Sequence, residues 1–435
     1  MKKRGGVFLL IHVVSSGQSL YSIARSYGVS PNLLAVNNGI ADPNRLVVGQ
    51  ALVIQQPLET HTVQPGESLA SIASIYGTST LQLYRNNYQL KGMPMLYPGQ
   101  TLVITQEGEK WGSIETNGYA YPYIRQGLLR QQLPYLSWFT PFTYGFTSNG
   151  DLVTLREETL LNAAKDYGCA PLLHFSTLTE SGNFDSDMGH MLLQNLSMQE
   201  RIIEQLVHVM ETKGYKGIDV DFEYLPPEDR VHYPAFLEKL TARLNPLGYQ
   251  VFSALAPKTF AEQKGILYEA HNYEAIGRAV NGVLLMTYEW GYSYSEPMPV
   301  APLPNVTAVL DFATSQIPNN KIFLGIPLYG YDWPLPFVAG QTQARSISCE
   351  RAVELARDHQ SAIEYDTTAQ APHFRYRDRA GQQHEVWFED ARSIDAKLRL
   401  ISQYNLRGAG YWNLMRPFAQ NWVLLNGRFN IKQIP

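Results

Sequence analysis

From about residue 118 onward, apolar β-rich runs alternate with stretches whose apolar residues recur at helical spacing. The runs are 118–124, 135–146, 170–177, 217–225, 251–259, 282–290, 322–331 and 408–415. The clearest helix lies between the third and fourth runs, from Leu196 to Lys213. Ile203, Leu206, Val207 and Met210 recur there on one face, and Ser197 with Glu200 reads as a capping box. Two more helices are expected over Tyr233–Leu244 and Ser393–Tyr404. Strands alternating with helices predict a parallel sheet. Eight such units in about 300 residues fit an α/β fold of the closed (β/α)8 type, a TIM barrel, over 117–435, with an open doubly wound sheet as the alternative. The stretch 340–392 is too long for one connection. Its segment "HFRYRDRAGQQHEVWFED" alternates and turns at Gly381. It is expected to be a small α+β insertion before the last helix and strand, rising over the C-terminal face of a barrel.

The front of the chain has a different rhythm. A pattern that begins at His12 returns at His61. Each copy opens on His-x-Val, turns at a glycine (Gly17; Gly66), and presents a serine suited to cap a helix (Ser19; Ser68). A helix burying Leu20, Ile23 and Ala24, or Leu69, Ile72 and Ala73, follows. A second helix carries Asn37-Asn38 or Asn86-Asn87, and a closing strand follows Gly49-Gln50 or Gly99-Gln100. Two βααβ domains are expected, at 10–55 and 60–105, with a polar linker at 106–116. Both copies resemble the LysM module over their full length. The resemblance implies binding of N-acetylglucosamine-containing glycans in a groove between two loops. It points to Gly17, Ser19 and Leu20 with Asn44 and Leu46, and to Gly66, Ser68 and Leu69 in the second copy. Individually these residues read equally well as turn and core positions.

The fourth run, "GIDVDFEYL", sets Asp219, Asp221 and Glu223 on alternate positions, with Ile218, Val220 and Phe222 between them. Side chains alternate across a strand, so the three acids share one face. In a barrel the apolar face meets the helices and the acids point inward. Buried carboxylates are costly unless protonated or strongly hydrogen-bonded. An ion-pair network is the structural alternative, but the runs supply hardly any Lys or Arg. Clustered acids raise one another's pKa, which would keep Glu223 protonated near neutral pH and ready to act as a general acid.

"GIDVDFE" is similar to the D-x-D-x-E signature of glycoside hydrolase family 18, the chitinase-like enzymes. "LLMTYEW" resembles that family's Met-x-Tyr-Asp strand, giving Met286, Tyr288 and Glu289. "LGIPLYGY" resembles the strand before the insertion, at Tyr329. "GAGYWNLM" resembles the last strand, whose Trp412 would floor the sugar subsite. The resemblance implies a retaining, substrate-assisted mechanism without metal or cofactor. Glu223 would protonate the bridge, Asp221 and Tyr288 would hold the substrate's acetamido group, and Asp219 would tune Asp221. Three departures stand out. Lys216-Gly217 replaces the frequent Asp-Gly. The third run, "LLHFSTL", lacks Ser-x-Gly-Gly. Glu289 stands where Asp is common, as a substrate contact or a rim residue. Trp387 in the insertion is a further candidate sugar contact.

Composition narrows the partners. The 435 residues carry 35 basic and 39 acidic side chains, with no basic stripe to suggest nucleic acid. Aromatic residues make up 12%, which fits either a sugar-stacking groove or a large aromatic core. Cys169 and Cys349 match no metal or disulfide framework and are expected as buried thiols, one bridge being the alternative. No run spans a membrane. The start, "MKKRGGVFLLIHVV", has the basic-then-apolar order of a secretory leader, but its apolar part is short and no small-residue cleavage site follows. LysM copies ahead of such a barrel resemble the spore-germination glycosylases of endospore-forming bacteria. That implies an N-acetylglucosaminidase acting on peptidoglycan at the spore surface, cortex or cell wall, with no protein partner expected. A chitinase and a non-catalytic glycan-binding lectin are the rival readings.

Overall fold

The computed structural model describes residues 9–179 and 181–434. The basic start and first apolar residues, weighed above as a leader, lie outside the described residues. Eight parallel strands form the centre: β1 (Ser113–Ala120), β2 (Trp138–Pro141), β3 (Ala170–Ser176), β4 (Gly217–Asp221), β5 (Gln250–Leu255), β6 (Gly282–Leu285), β7 (Ile322–Pro327) and β8 (Gly408–Trp412). Each pairs with the next, and β8 pairs back onto β1 with Gly408 opposite Glu115. That closure makes the fold a (β/α)8 barrel and excludes the open doubly wound sheet.

The expected helix Leu196–Lys213 is present with those bounds. Its cap differs from expectation. The side chain of Asn195 accepts the Met198 N–H at 3.0 Å, so Ser197 already lies in the first turn and no Ser197–Glu200 capping box forms. Residues 113–116, read as linker, are the start of β1. The run 322–331 holds two strands. β7 ends at Pro327, and Tyr329–Leu335 opens the insertion's own antiparallel sheet, which also contains Arg345–Ser348, Gln383–Trp387, Ala371–Arg377 and Glu364–Asp366. Tyr329 therefore belongs to the insertion, ahead of the boundary expected at 340.

The barrel interior is plugged at its lower end. Tyr119, Trp138, Leu172, Phe252, Leu284 and Phe323 form a separate apolar cluster there. The Arg407 guanidinium closes it from below, 5.0 Å and 5.2 Å from the ring centres of Phe252 and Phe323, and pairs with Glu115 at 2.9 Å. Apart from a cavity of about 10 Å³ within this cluster, the interior opens toward the C-terminal ends of the strands, where barrel active sites are built.

The two front repeats fold as the βααβ pattern predicts, each around its own small core. In both, the second asparagine of the pair holds the closing strand. Asn38 donates to the Val53 carbonyl and accepts its N–H, and Asn87 does the same for Val103. Both repeats also dock on the last helix, Ala419–Arg428. Gln420 donates to Asn38 Oδ1 at 3.0 Å and to the Ala51 carbonyl at 2.7 Å, while Asn426 donates to Asn86 Oδ1 at 3.0 Å. The first repeat further meets the insertion, where the Ile363 N–H donates to the Val48 carbonyl at 2.9 Å. A Cβ on Gly49 would lie 1.8 Å from the Ile363 carbonyl oxygen, whereas Gly99, its counterpart in the second repeat, faces open space. Cys169 and Cys349 are buried and unpaired. Among the described residues no helix is long and apolar enough to cross a membrane.

Candidate active site

β4 is locked in rotation by its outer face. Ile218, Val220 and Phe222 are fully buried against the helix His232–Leu244, and the Phe222 ring stacks on Tyr233 (5.7 Å) and Phe236 (6.0 Å). With that face committed, the period of two turns Asp219 and Asp221 inward. The strand ends at Asp221, and the chain stays pinned beyond it. His271 accepts the Ala256 N–H on Nδ1 at 2.9 Å, so its Nε2–H donates to the Phe222 carbonyl at 3.1 Å. Tyr224 then takes a positive φ of 55°, turning the chain out of the barrel. Glu223 is left half-buried at the mouth.

A cleft of about 610 Å³ opens there. Asp221, Glu223, Tyr288, Met286, Glu289 and Trp412 all line it. Asp219 lies deeper, 1% exposed, accepting from the Tyr119 hydroxyl at 2.5 Å. Its other oxygen, Oδ1, has no hydrogen-bond partner, and neither has Asp221 Oδ1. Burial pushes the Asp219 carboxyl up to about 6. The Asp221 charge adds to this, and His174 and Tyr119 oppose it. Burial raises Asp221, and burial with the charges of Asp221 and Glu289 raises Glu223. No Lys or Arg pairs with any of the three among the described residues. The arrangement can therefore hold and release protons near neutral pH at a point open to a ligand.

Glu289 also takes a positive φ, 65°. Its carboxylate accepts from the Tyr329 hydroxyl and, at 3.1 Å, from the Tyr331 hydroxyl. Tyr329 thus reaches the site through Glu289 and does not itself line the cleft. Trp387 is corrected outright. It is buried in the insertion sheet, donates to Glu385 Oε1 at 2.8 Å, stacks on His373 at 4.3 Å, and does not line the cleft. Rings that the sequence did not single out line it instead, among them Tyr121, Phe142, Phe184, Tyr268, Trp290 and Tyr292. Their signal was the aromatic surplus alone.

In the front repeats Gly17, Ser19, Gly66, Ser68 and Asn44 are exposed and Leu46 is half-buried. Leu20 and Leu69 are core residues of their modules, and the hydroxyls of Ser19 and Ser68 cap the following helices. Among the described residues no group of three or more His, Cys, Asp or Glu is arranged to hold a metal ion.

The barrel and the two front repeats match known families. The family model for glycosyl hydrolases family 18 matches residues 141–416, and the LysM domain model matches 12–55 and 61–105. The chain is 41% identical to the cortical fragment-lytic enzyme of Bacillus subtilis (strain 168), over 97% of this chain and 98% of that one. The spore cortex-lytic enzyme SleL of Bacillus megaterium QM B1551, solved by crystallography, superposes with a TM-score of 0.84 at 37% identity, covering 99% of this chain and 100% of that one. A chitinase of Chromobacterium violaceum, 23% identical with a TM-score of 0.66 over 72% of this chain and 98% of its own, shares the fold.

Proposed function

Because the chain belongs to the glycosyl hydrolases of family 18, we propose that this glycoside hydrolase is an N-acetylglucosaminidase that cleaves spore-cortex peptidoglycan during germination. The observation that carries the reading is the half-buried Glu223 carboxyl, raised in pKa, at the mouth of a closed barrel directly above Asp221. A protonated carboxyl there is a general acid matched to neutral pH. Glu223 gives its proton to the bridging oxygen as the glycosidic bond breaks. The carbonyl oxygen of the substrate's own 2-acetamido group takes up the anomeric carbon and forms an oxazolinium ion. This substrate-assisted route differs from the two-carboxylate scheme of most glycosidases, because the substrate supplies the nucleophile. Asp221 accepts from the acetamido N–H and balances the developing positive charge, Tyr288 donates to the acetamido oxygen, and Asp219 sets the charge of Asp221 from below. Glu223, now ionised, draws a proton from water, which opens the ring with retained configuration. Trp412 supplies an apolar floor and Glu289 a charged edge.

The two LysM repeats act as glycan-holding modules, and their attachment to the wall concentrates the barrel on a polymer. The 41% identity with a cortical fragment-lytic enzyme over nearly the whole chain supports cortex as the substrate and the spore wall as the place of action.

Mass spectrometry of muropeptides released from purified cortex tests this. New reducing ends on N-acetylglucosamine are expected, with slower release from chitin oligomers. Reducing ends on the muramic sugar, or faster turnover of chitin oligomers, would overturn it.

A further inference from the structure

The third strand lacks the Ser-x-Gly-Gly pattern expected there, and what replaces it is a built feature. β3 pairs with β4 so that His174 lies opposite Asp219 and Ser176 opposite Asp221. The His174 ring is 1% exposed, held between Phe142 (4.6 Å) and Tyr119 (5.8 Å, edge-on). Its Nδ1 lies 2.6 Å from the Thr143 hydroxyl, and its Nε2 lies 3.6 Å from Asp221 Oδ2. The Thr143 hydroxyl is in turn 2.9 Å from that of Ser176.

We propose that Thr143 donates its hydroxyl proton to Nδ1 of His174, fixing the tautomer that carries hydrogen on Nε2, and that this N–H is the positioning donor for Asp221. The Tyr144 carbonyl competes for both hydroxyl protons, at 3.1 Å from Thr143 Oγ1 and 3.3 Å from Ser176 Oγ, but His174 Nδ1, at 2.6 Å, is the nearer acceptor for Thr143, and with that proton on the Thr143–His174 link the Nε2–H faces Asp221. The opposite tautomer would aim an imidazole lone pair at a carboxylate. Burial lowers the imidazole pKa to about 4, so His174 offers a dipole and not a charge. A full cation there would hold Asp221 too firmly ionised to share protons with Glu223.

At 3.6 Å the contact is a dipole facing a charge, outside hydrogen-bond range. A small rotation of Asp221 closes it, and catalytic hydrogen bonds commonly shorten once substrate is bound. Among the described residues, the other groups that act on Asp221 are Asp219 on its own strand, Glu223 just past the strand's end, the hydroxyls of Tyr119, Tyr233 and Tyr288, and Glu289 beyond Glu223. None is a cation. Tyr119 donates to Asp219, while His174, which faces Asp219 in register and also lowers its pKa, turns its Nε2 toward Asp221. The inference rests on reading Asp221 as the acid that holds the acetamido group.

Two measurements on the full chain test it. Ring-nitrogen NMR of the wild type at neutral pH is expected to show His174 protonated on Nε2, and protonation on Nδ1 overturns the proposal whatever the activity. Thr143→Val is expected to lower kcat about tenfold with KM changed by less than about twofold. It should also move the acid limb of the kcat/KM profile upward, because Asp221 without a donor keeps its proton to higher pH. Thr143→Ser should restore both. A variant with lower Tm but a wild-type pH profile reduces Thr143 to a packing role and overturns the proposal. Asp221→Asn is run alongside. If it stays active, the reading of Asp221 itself fails, while the tautomer measurement still judges the Thr143–His174 link.

Discussion

Two sets of buried carboxylates in this molecule meet opposite fates. Behind the insertion, Glu389 and Lys397 are each 1% exposed and joined at 2.8 Å and 3.0 Å through both carboxylate oxygens. Inside the barrel, Asp219 and Asp221 each keep an oxygen without a partner among the described residues, and their neighbouring donors are a tyrosine and a neutral histidine. Burial raises the Glu389 carboxyl, but the Lys397 ammonium and the Ser393 hydroxyl oppose that rise, and the pair serves the architecture. A buried acid denied every cation has a movable proton. The difference lies in the counter-ion, not in depth, and it separates structure from chemistry more sharply than burial does.

The largest test of this contrast is Glu223→Gln, which keeps the shape and removes the proton. Hydrolysis of cortex fragments is expected to fall by about 10²–10⁴-fold, with binding of the glycan retained in a pull-down assay. Activity within about tenfold of wild type would discard Glu223 as the general acid.

Lys397→Met probes the other set. Leaving Glu389 buried and alone is expected to cost about 3–5 kcal/mol in urea unfolding, with kcat of the folded enzyme unchanged. Adding Glu389→Leu should recover most of that loss, because an apolar pair fills the site without a charge. The same treatment of the barrel acids would abolish activity while stabilising the fold.

A subtler measure is stability against pH in Asp219→Asn. The folded-state pKa of Asp219 is raised to about 6, from an unfolded value near 3.8. The native state therefore binds the proton more tightly, and wild-type stability falls as pH rises from about 4 to about 6, then levels. Asparagine removes that loss. The variant is expected to exceed wild type by at most roughly 3 kcal/mol near pH 7, with the gap closing below about pH 4. A gap of the same size at pH 3.5 would mean that the gain has another source.

How much of this the sequence carried follows from which contacts are local. The acid row was legible because a strand's period of two displays Asp219, Asp221 and Glu223 without any knowledge of the rest of the chain. The barrel was legible from eight alternations. The donors were not, because closure of the ring brings Tyr119 to Asp219 from 100 residues away. His174 carried a visible departure from the expected pattern, but its meaning needed Thr143 beside it. The start of β1 was hidden because Glu115 faces the plugged end of the barrel, where Arg407 satisfies it, and so its polar segment read as linker. Trp387 was misplaced because an indole in the insertion looks the same whether it faces sugar or packs on His373.

The docking of both front repeats on the last helix has a consequence of its own. Gln420 and Asn426 stand on a single helix, which ties both repeats to the barrel through side-chain hydrogen bonds. On the proposed reading, a strand gripped by them meets Glu223 at a set offset. The lengths of the released pieces should therefore carry a dominant spacing, stamped by the distance from grip to cut.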